Sequence, residues 1–373
     1  MAAGNKGALP MKLKHLAVLA VGFGSLIAGS AFAEELTIRV GYPGVGVDNR
    51  PYGYGDSVSL ARVGEYLEKE FQNDKDIKIE WTYFRGAGPE LNEALAAEKL
   101  DIAAGLGDLP SIVGRSRGLK TKFLLPASER GSLYLAVSPK SDIDSIDDLK
   151  GKKVAQFRGT NLQIATDAVL EAHNLTEKDI RFVSLTTGDS TAALAAGNVD
   201  ASFGGEEYLD LEKRGIVKIV YASKKDKPIF GTNSAVFVTE DFEQKHPDLT
   251  QRITTAFVKA AAWGSDEANR QAVFEAWAKS GVPAESFADD FDGQPLARRN
   301  TAVIDDFIIA RYKEKAAKAK QYGLVKKDVD IDSWFAPKYL ETALKELGLE
   351  DYWPRYDAEG NKVASGRVEV AAQ

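Results

Sequence analysis

The chain has 373 residues, 44% hydrophobic and 28% charged, which is enough apolar material for a substantial core and for two units of ordinary domain size. Cysteine is absent, which excludes a disulfide framework, a thiol nucleophile, thiolate metal sites and lipid attachment through an N-terminal cysteine. The net charge of −7 makes nucleic acid or an anionic membrane a poor partner in bulk terms.

The first stretch, MKLKHLAVLAVGFGSLIAGSAFA, has basic residues at Lys12 and Lys14, an apolar middle, and a small-x-small end at Ala31-Phe32-Ala33. This is the pattern of a secretory signal cleaved after Ala33. A membrane anchor fits less well, because the run is short, contains several glycines and is followed by Glu34-Glu35. Removal takes away Lys6, Lys12 and Lys14 and none of the 55 acids, so the net charge moves to about −10. The expected product is exported and freely soluble, with no later segment able to cross a bilayer.

In chain order, ELTIRVGYPG (35–44) predicts a strand ending in a Gly-Pro turn. A loop rich in Gly, Tyr and Asp follows (45–57), then an amphipathic helix over 58–72 and a strand over 77–84. Residues 88–100 predict a helix with Pro89 in its first turn, and 101–106 a short apolar strand. Strands alternating with helices at short loop distance predict α/β layers with largely parallel pairing. Beyond 242 the spacing is helical over 246–281, 295–323 and 336–348, and these helices are expected to pack on the first unit. The polar tail from Asp357 is expected to fray.

Two passages repeat this grammar. ALAAEKLDIAAG (94–105) and ALAAGNVDASFG (193–204) align without a gap, and FRGAG (84–88) and FRGTN (157–161) each follow a strand and introduce a helix. Two similar α/β lobes are the expectation. Apolar runs at 123–125 and 133–137 would cross from the first to the second, and 229–242 would return. The expected division is a signal over 1–33, a discontinuous lobe over 34–127 and 233–373, and a second lobe over 128–232.

Catalysis has few candidate groups. His173 and His246, the histidines outside the signal, sit at a helix end and before Pro247 with no partner at triad or ligand spacing. Neither a nucleotide-binding glycine fingerprint nor a cofactor site is present. Binding is better supplied. In an open α/β sheet, ligands collect at the carboxyl ends of strands, where helix starts offer unpaired amides and partial positive charge. Three such starts, 85–90, 105–111 and 158–163, are expected to converge on an anion.

Thr160 and Asn161 can cap a helix or contribute donors to an oxyanion, and Arg158 adds a fork-shaped cation. Arg85 and Arg130 are weaker candidates. Asp108 either caps the helix that opens at Pro110 or faces a ligand amine. Glu206 and Glu207 stand at a helix start, where they complement the dipole or meet a cationic or hydroxylated part of a solute. Tyr42, Trp81, Tyr83 and Tyr208 lie near strand ends, with core packing as the commoner fate.

Together VGYPG, AGPELNEAL, LDIAAGLGDLP, DLKGKKVAQFRGTN, NVDASFGGEEY, EKHPDL and LVKKDVDIDSW resemble the aliphatic sulfonate, taurine and nitrate group of periplasmic solute-binding proteins. The likeness extends from about residue 36 to 340, and GDLP and AGP look closest to the aliphatic sulfonate branch. The resemblance implies an α/β fold of two lobes with mixed, mostly parallel sheets flanked by helices, a double-crossover hinge (type II), and no catalysis or cofactor. It also implies a membrane permease of an ABC importer as partner, and a monomer.

Its cleft would be lined by Gly86, Ala87, Gly88, Gly107, Asp108, Gly159, Thr160, Asn161 and Glu206; Tyr42 and Arg158 complete the candidate set. The expected ligand is a small organic anion, an aliphatic sulfonate or sulfate ester. Nitrate, bicarbonate and an aromatic carboxylate are the alternatives, and a thiamine-pyrimidine-related enzyme is the remaining one. Two departures bear on ligand choice: the long 45–57 loop, and the Glu206-Glu207 pair where relatives often carry an aromatic and an acid.

Overall fold

Alternating apolar residues make Leu36–Pro43 (β1) and Ile77–Phe84 (β2) parallel neighbours paired residue for residue, Leu36 with Ile77 through Pro43 with Phe84. The computed structural model describes residues 35–44, 46–47 and 50–370, so the expected signal lies outside the described residues. Between these strands run Ser57–Val63 (α1) and Tyr66–Glu70 (α2). The sequence predicts one helix here. Instead, Glu65 adopts a left-handed φ of 55° and the Tyr66 ring folds back over Gly64, where a Cβ would lie 2.5 Å from it.

Ala87–Ala96 (α3), Ile102–Gly107 (β3), Asp108–Ser116 (α4) and Thr121–Gly131 (β4) complete the first passage. The second contains Tyr134–Val137 (β5), Lys153–Gln156 (β6), Asn161–Ala172 (α5), Arg181–Ser184 (β7), Thr187–Ala195 (α6), Ala201–Gly204 (β8), Glu207–Lys213 (α7) and Lys218–Ala222 (β9). The chain then returns through Thr232–Thr239 (β10). One five-stranded sheet has the order β2-β1-β3-β10-β4 and the other β7-β6-β8-β5-β9. In each, the first three strands are parallel and the fourth, β10 or β5, runs antiparallel to both of its neighbours. The order is the same in both, and the chain passes between the sheets twice, after β4 and before β10.

The alanine-rich repeat marks this equivalence, because its two copies end in β3 and β8, each third in its sheet. The FRG repeat does not: its first copy follows β2, an edge strand, and its second follows β6, the strand equivalent to β1.

Glu240–Lys245 (α8), Pro247–Ser265 (α9), Arg270–Trp277 (α10), Ala284–Asp290 (α11), Asp306–Gln321 (α12) and Pro337–Leu347 (α13) follow. α9 and α13 cover one face of the first sheet through Ile253, Phe257, Leu340 and Leu344, and α12 covers the other through Ile308 and Tyr312. α10 and α11 build a satellite cluster around Trp277 and Phe287. The helix predicted over 295–323 begins only at Asp306. Asp305 is its cap, accepting from the Ile308 amide at 3.2 Å. Arg299 and Asn300 are buried in tertiary bonds, Asn300 donating to the Gly264 carbonyl at 2.6 Å.

The expected fraying of the tail is corrected. Arg355–Tyr356 (β11) and Lys362–Ala364 (β12) pair, Arg367–Val370 (α14) follows, and Val368 is buried in the main core. Trp353 donates its indole N–H to Ser265 at 2.7 Å. A Cβ at Gly366 would stand 2.3 Å from the Trp353 backbone, so only glycine lets the chain pass.

The crossing after β4 is pinned by charge. Arg299, 1% exposed, pairs with fully buried Asp290 and donates to Ser132 Oγ at 2.9 Å; Tyr134 donates to the same aspartate. Replacing Arg299 with Met leaves Asp290 buried without its cation, and urea unfolding should register a loss of ~3–5 kcal/mol. Val363→Ser, at an exposed position, should stay within about 0.5 kcal/mol of the wild type.

Candidate ligand-binding site

Helices longer than two turns open at the carboxyl ends of β2, β3 and β6, and none of the three has a side-chain cap. α3 begins after Gly86, with Ala87 held at a left-handed φ of 54°. Such a residue at a helix start turns successive amides toward one concavity. α4 begins after Gly107, whose lack of a side chain lets Asn161 approach; a Cβ there would lie 3.0 Å from that of Asn161. At the α5 start, Thr160 has the extended backbone of a capping residue, yet its hydroxyl donates to the Phe157 carbonyl at 2.7 Å instead of accepting from the helix.

These starts face one cavity of about 150 Å³. Of the predicted site residues, Tyr42, Ala87, Gly88, Gly107, Thr160, Asn161 and Glu206 line it. The Tyr42 hydroxyl donates to the Pro51 carbonyl at 2.5 Å, so the residue presents its ring. The Asn161 side chain makes no hydrogen bond to any described residue. The 50–56 loop closes one side through Gly53, Tyr54, Gly55 and Asp56; Val45, Asp48 and Asn49 lie outside the described residues.

Four predicted residues sit elsewhere. Asp108 is fully buried behind the helix start, accepting from Lys315 Nζ at 2.5 Å, from Asn233 at 3.0 and 3.1 Å, and from the Leu109 amide at 2.7 Å. Its valences are filled by the protein, so it anchors α4 to β10 and α12 rather than meeting a ligand. Arg158 turns outward, half exposed, to pair with Glu177 at 2.6 Å over the Phe182 ring. Gly159 lies with it in a separate outer groove, its amide given to Gln163 Oε1 at 2.7 Å. The Gly86 amide is taken by Glu90 at 2.7 Å.

The weaker candidates are likewise engaged. Arg85 stands 4.0 Å from Asp189, and Arg130 stacks on Phe307 and Tyr356 beside Glu129. His173 meets Asp147 at 2.9 Å, and His246 packs on Phe242. Trp81 and Tyr208 bond Glu68 and Ser202 within their own units.

Sequence reasoning missed Ser128, Ser132, Asn233 and Ser234, which line the cavity from the two crossing strands. The available signal was the short polar interruption of otherwise apolar runs, ASERGS and GTNS. Past Phe157, Thr187 and Glu207 the cavity adjoins an outer chamber of about 610 Å³, faced by Tyr83, Leu211 and Ile216 and by the Arg214–Asp210 pair.

No Lys, Arg or His is among the described lining residues of the inner cavity, whereas three carboxyls are. Burial pushes Asp56 up to about 6, against the hydrogen bonds it accepts from Ser59. Burial, reinforced by nearby Asp290, lifts Glu206 to about 8. Burial raises Glu207 too, although it accepts from the Gly205 amide at 2.9 Å and the Tyr54 hydroxyl at 3.0 Å. Among the described residues no cluster of three or more metal-ligating side chains occurs, and no helix is long and apolar enough to cross a membrane.

Comparison with known proteins gives a match to the family described as NMT1/THI5 like over residues 67–268, more than half of the chain. A protein of Bacillus subtilis (strain 168) named for binding aliphatic sulfonates is 26% identical over 300 residues, 77% of this chain and 84% of that protein. A solved structure named as a periplasmic sulfonate-binding protein of a sulfonate ABC transporter, from Methylobacillus flagellatus KT, is 28% identical. It superposes with a TM-score of 0.74, covering 87% of this chain and 98% of the other. A desulfurization enzyme, at 18% identity and a TM-score of 0.61 over 83% of this chain and 99% of its own, shares the fold.

Because burial lifts Asp56 and Glu206 above their unfolded values, the folded state binds more protons than the unfolded chain between about pH 4 and 8. Stability therefore falls as pH rises through that interval. Glu206→Gln should flatten the decline by at most ~1.4 kcal/mol per pH unit between pH 5 and 8, read from unfolding curves at several pH values.

Proposed function

This chain belongs to the NMT1/THI5-like family, and on that premise we propose that it is the periplasmic solute-binding component of an ATP-driven importer, taking a small organic anion. The ligand class it fits best is an aliphatic sulfonate or a sulfate ester. The observation that carries this reading is the meeting of three uncapped helix starts on one small cavity between the sheets. None of the three starts has a capping side chain, and the partial positive charge of their amides is directed into the cavity. A tetrahedral oxyanion offers three acceptors to such donors. The names of the B. subtilis and M. flagellatus relatives, both given for sulfonate binding, support the same class.

In this proposal a signal over 1–33 directs export. One lobe of 34–127 with 233–373 and a second of 128–232 move about the two crossings. Closure brings the α5 start against those of α3 and α4, so the solute stabilises the closed state through contacts that the open state lacks. The Tyr54–Glu207 bond and the salt bridge from Lys318 to Glu171, 2.7 Å long, join elements of the two lobes on opposite sides. The loaded protein, a monomer, then presents its solute to a membrane permease.

Thermal unfolding of the protein lacking residues 1–33, screened against alkanesulfonates, sulfate esters, carboxylates and nitrate, tests the ligand class. A ligand at 100 times its Kd should add ~2.7 kcal/mol to stability. Absence of any stabilisation by sulfonates and sulfate esters, with a clear response to another class, overturns the assignment. For the ligand so found, Asn161→Ala should weaken binding about tenfold by calorimetry, since it removes a donor to a charged acceptor. Arg158→Ala should leave affinity within about twofold, because its guanidinium is exposed and points away from the cavity.

A further inference from the structure

A chain of net charge −7 gathers four cations around one hollow away from the inner cavity. The hollow, about 330 Å³, is faced by Arg130 at the end of β4, by Ser223, Lys224 and Lys227 between β9 and β10, and by Asp292 and Arg298 after α11. It therefore lies beside both crossings, which Ser223 ties together by accepting from the Leu133 amide at 2.9 Å.

Little inside the protein answers these cations. Lys227 and Arg298 are exposed, and their side chains bond no described residue. Lys224 donates to the Asp289 carbonyl at 3.1 Å, a neutral acceptor that leaves its charge standing. Arg130 has a side chain only 10% exposed. It pairs with Glu129 at 3.0 Å, yet its Nη2 is buried with no acceptor among the described residues. Burial lowers its pKa and the like charge of Arg298 adds to this, against the pull of Glu129. Ser223 is 5% exposed, and its hydroxyl donates to no described residue.

The lining also holds two carboxylates. Asp226 is occupied, accepting from the Tyr221 hydroxyl at 3.1 Å and the Lys227 amide at 2.9 Å. Asp292 is exposed and accepts from no described residue. With Arg130 set against Glu129, the three cations Lys224, Lys227 and Arg298 still face only these two acids. An excess of positive charge with unused donors favours an anion.

We propose that this hollow is a second anion site, separate from the inner cavity, and that it takes hydrogen phosphate. Lys224, Lys227 and Arg298 supply charge-assisted donors, and Ser223 supplies a hydroxyl. Asp292 selects within the class. Hydrogen phosphate retains an O–H to donate to that carboxylate, whereas sulfate has none and leaves acceptor facing acceptor. A phosphate monoester, largely a dianion at pH 7, meets the same obstacle. The bound ion joins the return crossing to the stretch after α11, and it does so whatever solute the inner cavity takes.

Calorimetric titration with inorganic phosphate, at pH 7 and an ionic strength held constant with sodium chloride, tests the proposal. Phosphate should bind the wild-type protein, and the double variant Lys227→Ser, Arg298→Ser should lose at least about tenfold in affinity, the scale of its charge-assisted contacts. Asn161→Ala, at the inner cavity, should leave this affinity within about twofold. Sulfate and glycerol 3-phosphate should bind the wild type at least about fivefold more weakly than phosphate, and Asp292→Asn, which adds N–H donors, should narrow that gap to about twofold. All three altered side chains of the hollow are exposed, so the variants should melt with the wild type when phosphate is absent. No binding of phosphate, binding unchanged in the double variant, or binding abolished by Asn161→Ala overturns the site. Sulfate bound as tightly as phosphate overturns the assignment to hydrogen phosphate.

Discussion

A helix start without a capping side chain leaves amides that must find acceptors elsewhere or remain costly. Here α3, α4 and α5 all begin this way, and the rest of the architecture serves to hold them against one another. The two sheets have the same strand order, so each delivers helix starts at the carboxyl ends of its parallel strands. The double crossing turns those ends to face each other. Glycine at 107 and Asn161 at the facing start set how close the opposing elements come.

Buried ionic pairs fix the geometry behind the cavity. Lys315 reaches from α12 to Asp108, the first residue of α4, and also donates to the Gly231 carbonyl at 2.7 Å, just before β10. Asn233 of that strand completes the set of donors to Asp108. Arg299 performs the corresponding task for the other crossing, joining Asp290 to Ser132 and, through the shared aspartate, to Tyr134. Neither pair is needed merely to fill space, since apolar residues of similar volume do that at lower desolvation cost. What each supplies is direction, because a charge-assisted bond fixes where a helix begins relative to a crossing strand in a way that apolar contact does not.

The cavity is therefore lined by helix starts and by carboxyls, with the Arg299 guanidinium withdrawn into the scaffold. Arg158 illustrates why the linear chain misleads here. Its neighbours in sequence are the glycine and hydroxyl of an anion-binding start, but its side chain is long enough to reach Glu177 and the Phe182 face on the outside of its own sheet. Asp108 misleads in the opposite direction: the acid that reads as a cap or a ligand contact is closed off by a lysine 207 positions away. Of the long loop predicted over 45–57, the 50–56 part borders the cavity, held from behind by the Trp277 indole donating to the Asp56 carbonyl at 3.0 Å.

Local pattern by itself determined the α/β class, β2 to the residue, and the positions of the three glycine-marked helix starts, because period and turn chemistry act within a few residues. The alanine-rich repeat also revealed the equivalence of β3 and β8. Tertiary structure alone decided which side chains reach the cavity. The break at Gly64-Glu65, the delayed start of α12 and the packed C-terminal hairpin each depend on partners far away in the chain, such as the Gly264 carbonyl for Asn300 and Ser265 for Trp353. The same holds for Glu206. Whether a carboxyl is capped, paired or left facing an empty space depends on every element that surrounds it, and no window of sequence contains them all.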